Sequence, residues 1–104
     1  MKVMTKKDLV EEIQSEQTMI MYFYTPLCGT CQVAKRMLDV TKELFPDLSF
    51  GMIDVNYMQE LAVDWQIESV PCLIIFKKGE IKEKVYAFRS VEYLYELFKK
   101  YQAS

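Results

Sequence analysis

Two uninterrupted apolar runs constrain this chain most. One is Met19-Ile-Met-Tyr-Phe-Tyr24, and the other extends from Val70 to Phe76. Both are strand-sized and far short of the roughly 20 residues needed to span a bilayer. Their continuity, in place of an apolar–polar alternation, marks strands covered on both faces. Such strands need helices above and below them, and the rest of the sequence supplies helical patterns.

Thr5 followed by Asp8 reads as a helix start, with Leu9, Val10 and Ile13 as its apolar stripe. From about Cys28 to Phe45, Val33, Met37, Val40 or Thr41, and Leu44 recur at helical spacing, and Pro46-Asp47 ends the segment. Ser49 to Val55 reads as a strand, and Met58, Leu61, Ala62 and Trp65 as a short helix. Cys72 to Phe76 is the second buried strand. Lys77 to Glu80 turns it into a further strand, Ile81 to Phe88. Ser90 caps a last helix carrying Val91, Leu94, Phe98 and Tyr101, with Glu92 at its start and Lys99-Lys100 at its end, as the helix dipole favours. The alternation predicts an α/β fold with a parallel portion and a final antiparallel pair. Residues 1–104 are expected to form one domain, because a second would lack an interior to bury.

Composition removes several functions. The chain has no histidine, which excludes Ser-His-Asp and Cys-His catalysis and every imidazole-ligated metal site. A net charge of −2 and a pI near 5.2 argue against nucleic-acid binding. Three cysteines are an odd number, so a fully paired disulfide scaffold within one chain is excluded. The N-terminal stretch turns charged at once (Lys2, Lys6, Lys7, Asp8) and has no apolar signal core. A cytoplasmic chain without membrane attachment is therefore expected, and there a CxxC pair points to redox or metal chemistry.

Cys28-Gly29-Thr30-Cys31 falls where the first buried strand ends and the long helix begins. Unpaired backbone N–H groups and the positive end of the helix dipole meet at that point. They favour a thiolate, so Cys28 is expected to ionise below the reference of about 8.5. A thiolate is the species that attacks a disulfide. Cys31, nearly one turn on, is placed to attack the resulting mixed disulfide. Gly29 is expected to let the chain turn without a Cβ clash. The alternatives for the pair are a metal or iron–sulfur site and a structural crosslink. A second feature, Ser69-Val70-Pro71-Cys72, opens a buried strand with a proline, where a missing N–H is tolerated.

Together these residues resemble the thioredoxin family: the apolar strand 19–24, the CxxC at 28–31, the Val70-Pro71 pair and the hairpin at 77–79. The likeness runs from about Leu9 to Tyr101. It implies a thioredoxin fold, a central mixed sheet of four to five strands flanked by helices. It also implies a thiol–disulfide oxidoreductase with Cys28 attacking and Cys31 resolving, the spacers Gly29 and Thr30 tuning the pair. Protein or small-molecule disulfides would be the substrates, and a reductase or low-molecular-weight thiol the electron donor. No cofactor and no metal are implied. The Val70–Pro71 bond would be cis and place Pro71 against the cysteines, and the Val70 backbone would pair with an extended substrate segment. Two other readings are a non-catalytic binding module on the same fold and a thiolate-ligated metal or cluster carrier. Three thiolates with neither histidine nor a fourth cysteine suit the latter poorly.

The sequence departs from the family pattern at several places. Leu27 and Thr30 stand where Trp and Pro are usual, so the redox potential cannot be carried over. Tyr22 occupies the position of a buried Asp, and Met52 that of its Lys neighbour. Either packing has replaced a costly buried ion pair, or the proton of Cys31 has lost its acceptor and resolution is slower. Tyr86 stands in place of a groove Gly, and either narrows the groove and contacts substrate or packs under a neighbouring loop. Arg36 replaces a helix proline, predicting a weaker kink. Cys72 reads first as a small buried hydrophobe, second as a third thiol beside the pair. Trp65 is expected to pack a helix onto the sheet.

Overall fold

The computed structural model describes residues 1–15 and 17–102. Its elements are β1 (Lys2–Val3), α1 (Lys6–Gln14), β2 (Met19–Tyr24), α2 (Gly29–Lys42), β3 (Ser49–Asp54), α3 (Gln59–Asp64), β4 (Cys72–Lys77), β5 (Glu80–Val85) and α4 (Val91–Lys99), with a 3-10 turn at Val55–Tyr57. One five-stranded sheet has the order β1-β3-β2-β4-β5. The two apolar runs form its middle. β2 pairs parallel to β3 and antiparallel to β4, and β4 pairs antiparallel to β5. The expected mixed sheet is thus present with all five strands. The fifth, the two-residue β1, lies parallel to β3 and was not expected from the sequence, since two residues carry no periodicity.

Local chemistry explains the element ends. The Thr5 hydroxyl accepts the Asp8 N–H while the Asp8 carboxylate accepts the Thr5 N–H, a reciprocal cap on α1. The Ser90 hydroxyl accepts the Tyr93 N–H and caps α4. Lys78 and Gly79 both have positive φ, 55° and 78°, as a two-residue hairpin turn requires.

Two apolar clusters lie on the two sides of the sheet. Tyr22, Cys31, Leu38, Leu73, Ile75 and Phe98 belong to one; Leu9, Phe23, Cys72, Ile74 and Phe76 to the other. Alternate residues of β4 go to opposite clusters, the period-two rule of a strand. Trp65 meets Phe23 and Phe76 edge-on, centroids 6.2 and 5.0 Å apart, packing the α3 end onto the sheet as expected.

The long helix meets the expected buried face only in part: Thr41 is buried and Met37 packs against the core. α2 buries Cys31, Ala34, Leu38 and Thr41, whereas Val33, Val40 and Leu44 are about half exposed. The buried stripe contains a small residue and a threonine, so its apolar signal is weak. Thr41 can be buried because its hydroxyl donates to the Met37 carbonyl at 2.7 Å. The helix ends at Lys42, earlier than the expected Phe45, and runs unbroken through Arg36.

Candidate active site

Cys28 is the N-cap of α2. Its φ and ψ of −102° and 109° are extended, and the helix begins at the next residue. The Cys31 N–H points at Cys28 Sγ, 3.1 Å away, and the Thr30 hydroxyl lies 3.3 Å from the same sulfur. The Cα atoms of Cys28 and Cys31 are 5.2 Å apart, and the two form a disulfide. Cys28 is part-exposed and Cys31 is buried. Gly29 is not needed for space: a Cβ there would meet nothing within 4 Å, and its φ is not positive. The expected steric reason for this glycine therefore falls away. Leu27, before the pair, is 99% exposed.

In front of the pair lies a groove of about 450 Å³, lined by Thr30, Val33, Pro71, Tyr86, Phe88 and Arg89 among others. The Val70–Pro71 bond is cis, as the resemblance implied. Val70 and Cys28 both pack against the cluster that includes Cys31.

Tyr86 packs under a neighbouring loop, the second of the alternatives raised for it, and also lies at the groove. Its ring lines the groove, while its hydroxyl accepts the Glu68 N–H at 3.2 Å and donates to the Gln66 carbonyl at 3.1 Å. The Lys84 ammonium donates to the Trp65 and Gln66 carbonyls at 3.0 and 3.1 Å. Two side chains of the β5 region thus tie down the loop that leads to Pro71.

Cys72 is fully buried and unpaired with either of the other cysteines. Burial pushes its thiol up to about 12, partly offset by the Lys84 charge and the Tyr86 hydroxyl. It belongs to the cluster on the side of the sheet opposite Cys31. Among the described residues no group of three or more His, Cys, Asp or Glu is arranged to hold a metal ion.

Behind the pair is a smaller cavity of about 160 Å³, lined by Tyr22, Tyr24, Cys31, Lys35 and Met52 among others. Tyr22 and Met52 are direct partners across β2 and β3, so the two departures from the family pattern are neighbours in space. The Tyr22 hydroxyl donates to the Cys31 carbonyl. Burial, then the nearby Tyr24 and Asp39, push Tyr22 up to about 12, so it stays a phenol through the neutral range. Its ring stacks on Tyr24 with centroids 5.6 Å apart. Lys35 pairs with Asp39 at 2.8 Å, one helical turn further along α2. Sequence reasoning missed the Tyr22–Cys31 hydrogen bond and the position of Lys35. The second was within reach, since residues 31, 35 and 39 share one helix face.

The Thioredoxin family model matches residues 1–100. Over 85 residues the chain is 53% identical to the thioredoxin-like protein YusE of Bacillus subtilis, covering 82% of this chain and 80% of that protein. It is 33% identical to the thioredoxin of the same organism over 88 residues, 84% of this chain and 85% of the other. Among solved structures, a mutant thioredoxin from Halobacterium salinarum superposes with a TM-score of 0.86 at 25% identity, covering 99% of this chain and 91% of that one. The oxidised thioredoxin of Plasmodium falciparum gives 0.84 at 20% identity over 98% of both chains, a likeness of fold.

Proposed function

Because the chain belongs to the thioredoxin family and is a thiol–disulfide oxidoreductase, we propose a division of labour between its two active cysteines. The Cys28 thiolate attacks one sulfur of a substrate disulfide, and the other substrate sulfur leaves with the electron pair. Cys31 then attacks Cys28 Sγ and releases the rest of the substrate as a second thiolate. The products are a reduced substrate and the Cys28–Cys31 disulfide. The observation that carries this order is the Cys31 N–H aimed at Cys28 Sγ at 3.1 Å, at the start of the 14-residue α2. A backbone donor and a helix N-terminus both favour negative charge on that sulfur. Cys28 is also the more exposed of the two, so a substrate disulfide reaches it first.

Thioredoxins act on protein disulfides. In this chain the groove takes an extended segment whose backbone pairs with that of Val70, while Pro71 and Tyr86 flank it. Gly29 and Thr30 set the poise of the pair, the Thr30 hydroxyl lying beside the attacking sulfur. A reductase or a low-molecular-weight thiol returns the electrons. Residues 1–104 work as one domain. We place the protein in the cytoplasm, where a reductant-fed dithiol is kept reduced.

Cys31→Ser tests the assignment. It is expected to accumulate mixed disulfides on Cys28 when the reduced protein meets oxidised protein substrates, read by intact mass and peptide mapping. Adducts on Cys31 in the converse variant Cys28→Ser, with none on Cys28 in Cys31→Ser, would overturn it.

A further inference from the structure

We propose that Arg89 selects among substrates: its guanidinium receives a carboxylate of the bound segment, so that protein disulfides with an Asp or Glu within a few residues of the attacked cysteine are reduced preferentially. This rests on the reading of the front groove as the substrate groove and of Cys28 as the attacking thiol. Most of the groove's lining is apolar, with Val33, Ala34, Met37, Pro71 and Phe88. Its polar groups are few. The Thr30 hydroxyl lies 3.3 Å from Cys28 Sγ, which sets the groove beside the reacting sulfur. The Tyr86 hydroxyl is engaged with the backbone of Gln66 and Glu68. Arg89 is the one charged residue that lines the groove.

Local structure holds Arg89 in place. The Ser90 N–H donates to the Phe88 carbonyl at 2.7 Å and closes a tight turn centred on Arg89. Phe88 before it is buried, and Ser90 after it caps α4 through the Tyr93 N–H. Arg89 itself is exposed and has a φ of 59°, in the left-handed region that an arginine enters at a cost. Its guanidinium carbon lies 4.9 Å from the centre of the Tyr93 ring. A ring face attracts the cation without cancelling its charge. Nor does a carboxylate cancel it: among the described residues Arg89 forms no ion pair. Glu92, next along α4, and Glu68, whose N–H is held by Tyr86, do not line the groove. A fixed and unneutralised guanidinium at an apolar groove favours an anionic group, and its fork of N–H donors matches the two oxygens of a carboxylate.

Selection acts on the first step. The Cys28 thiolate bonds to the substrate's cysteine sulfur, the substrate disulfide breaks, and its other sulfur leaves with the electron pair. A carboxylate seated on Arg89 holds the segment for that attack. A substrate Lys at the same place is repelled by the like charge.

The test uses short peptides of one parent sequence, each with a single cysteine capped as its mixed disulfide with pyridine-2-thiol. Glu, Gln or Lys is placed in turn at successive positions on either side of that cysteine. Attack by Cys28 on the peptide sulfur releases pyridine-2-thiol, which is followed by absorbance in stopped flow at low and at high salt. Each rate is divided by the rate of the same peptide with mercaptoethanol, which removes the peptide's own reactivity. In the parent protein, Glu is expected to exceed Gln by about threefold to fivefold at the favoured position at low salt, the size of an exposed ion pair. The ratio should fall toward one at high salt. Arg89→Met should bring the Glu-to-Gln ratio to about one, Arg89→Lys should keep much of it, and Arg89→Glu should favour the Lys peptide instead. Each ratio is taken within one variant, so a general change in rate does not enter it. A parent protein that treats Glu and Gln alike at every position, or an Arg89→Met protein that keeps the parent's ratio, overturns the role of Arg89 alone. A parent protein that releases pyridine-2-thiol no faster than Cys28→Ser overturns the attack by Cys28 as well.

Discussion

The front and the rear of the Cys28–Cys31 turn are built differently. The groove in front is made of segments remote in sequence, the first turns of α2, the Val70–Pro71 loop and residues 86–89. The cavity behind comes largely from β2 and α2, adjacent along the chain. Cys28 is part-exposed and faced by a backbone N–H; Cys31 is buried and lines the rear cavity together with a phenol and a thioether. Two sulfurs three residues apart therefore meet two electrostatic settings. The front sets up attack on a partner. The rear decides how readily the partner is released.

The contrast is broken most completely by removing its front sulfur. Cys28→Ser should lower disulfide reduction by roughly a thousandfold or more in an insulin-type turbidity assay, since it deletes the nucleophile. Next in size is a change at the rear. Tyr22→Asp places a carboxylate against Met52 with no cation from the sheet, and should cost about 3 kcal/mol in urea unfolding at neutral pH. The sign of its pH dependence follows from burial. The folded state favours the neutral acid, so this carboxyl's ionisation is raised on folding, and the variant should lose stability as pH rises above the ordinary carboxylate range. A variant whose stability rises from pH 4 to 7 more steeply than the parent's would show that something at the rear neutralises the charge.

A smaller effect sharpens the front. Tyr86→Phe removes two hydrogen bonds to the loop before Pro71 and should cost about 1 kcal/mol. If the ring alone shapes the groove, KM for a protein disulfide should stay within about twofold, while Tyr86→Ala changes KM. The smallest effect is alkaline. Cys72 stays neutral in the folded protein up to about 12, well above an ordinary thiol. The unfolded chain therefore loses this proton first, and stability falls as pH climbs through that window. Cys72→Val should flatten that fall without changing disulfide reduction at neutral pH. An unchanged slope would show that the Cys72 thiol does not titrate differently in the two states.

The middle of the sheet could be read from residues 19–24 and 72–76, because double-sided burial leaves a continuous apolar run. The strand-to-helix position of the CxxC and the Thr5 and Ser90 helix caps were also legible, since each depends on residues three or four apart. The buried face of α2 was legible only in part, through Met37 and Thr41. Ala34 and Thr41 carry weak apolar signals, while the exposed Val33 is drawn to the groove. Strand β1 depends on a pairing with β3 some 49 residues away. The clasp of Tyr86 on residues 66 and 68 spans 18 to 20 residues and depends on the course of a loop. In the same way, Tyr22 could be recognised as a missing carboxylate, but its bond to the Cys31 carbonyl needed the turn itself.

The asymmetry between front and rear sulfurs is tested most directly by alkylation of the reduced protein with iodoacetamide as a function of pH, with each cysteine followed by peptide mass. Cys28 is expected to react first, already fast at pH 7, where an ordinary thiol of pKa about 8.5 is still mostly protonated. Cys31 should lag well behind, and Cys72 should stay unmodified until the protein unfolds. Equal rates at Cys28 and Cys31, or a Cys28 rate that rises only as an ordinary thiol's would, would contradict it.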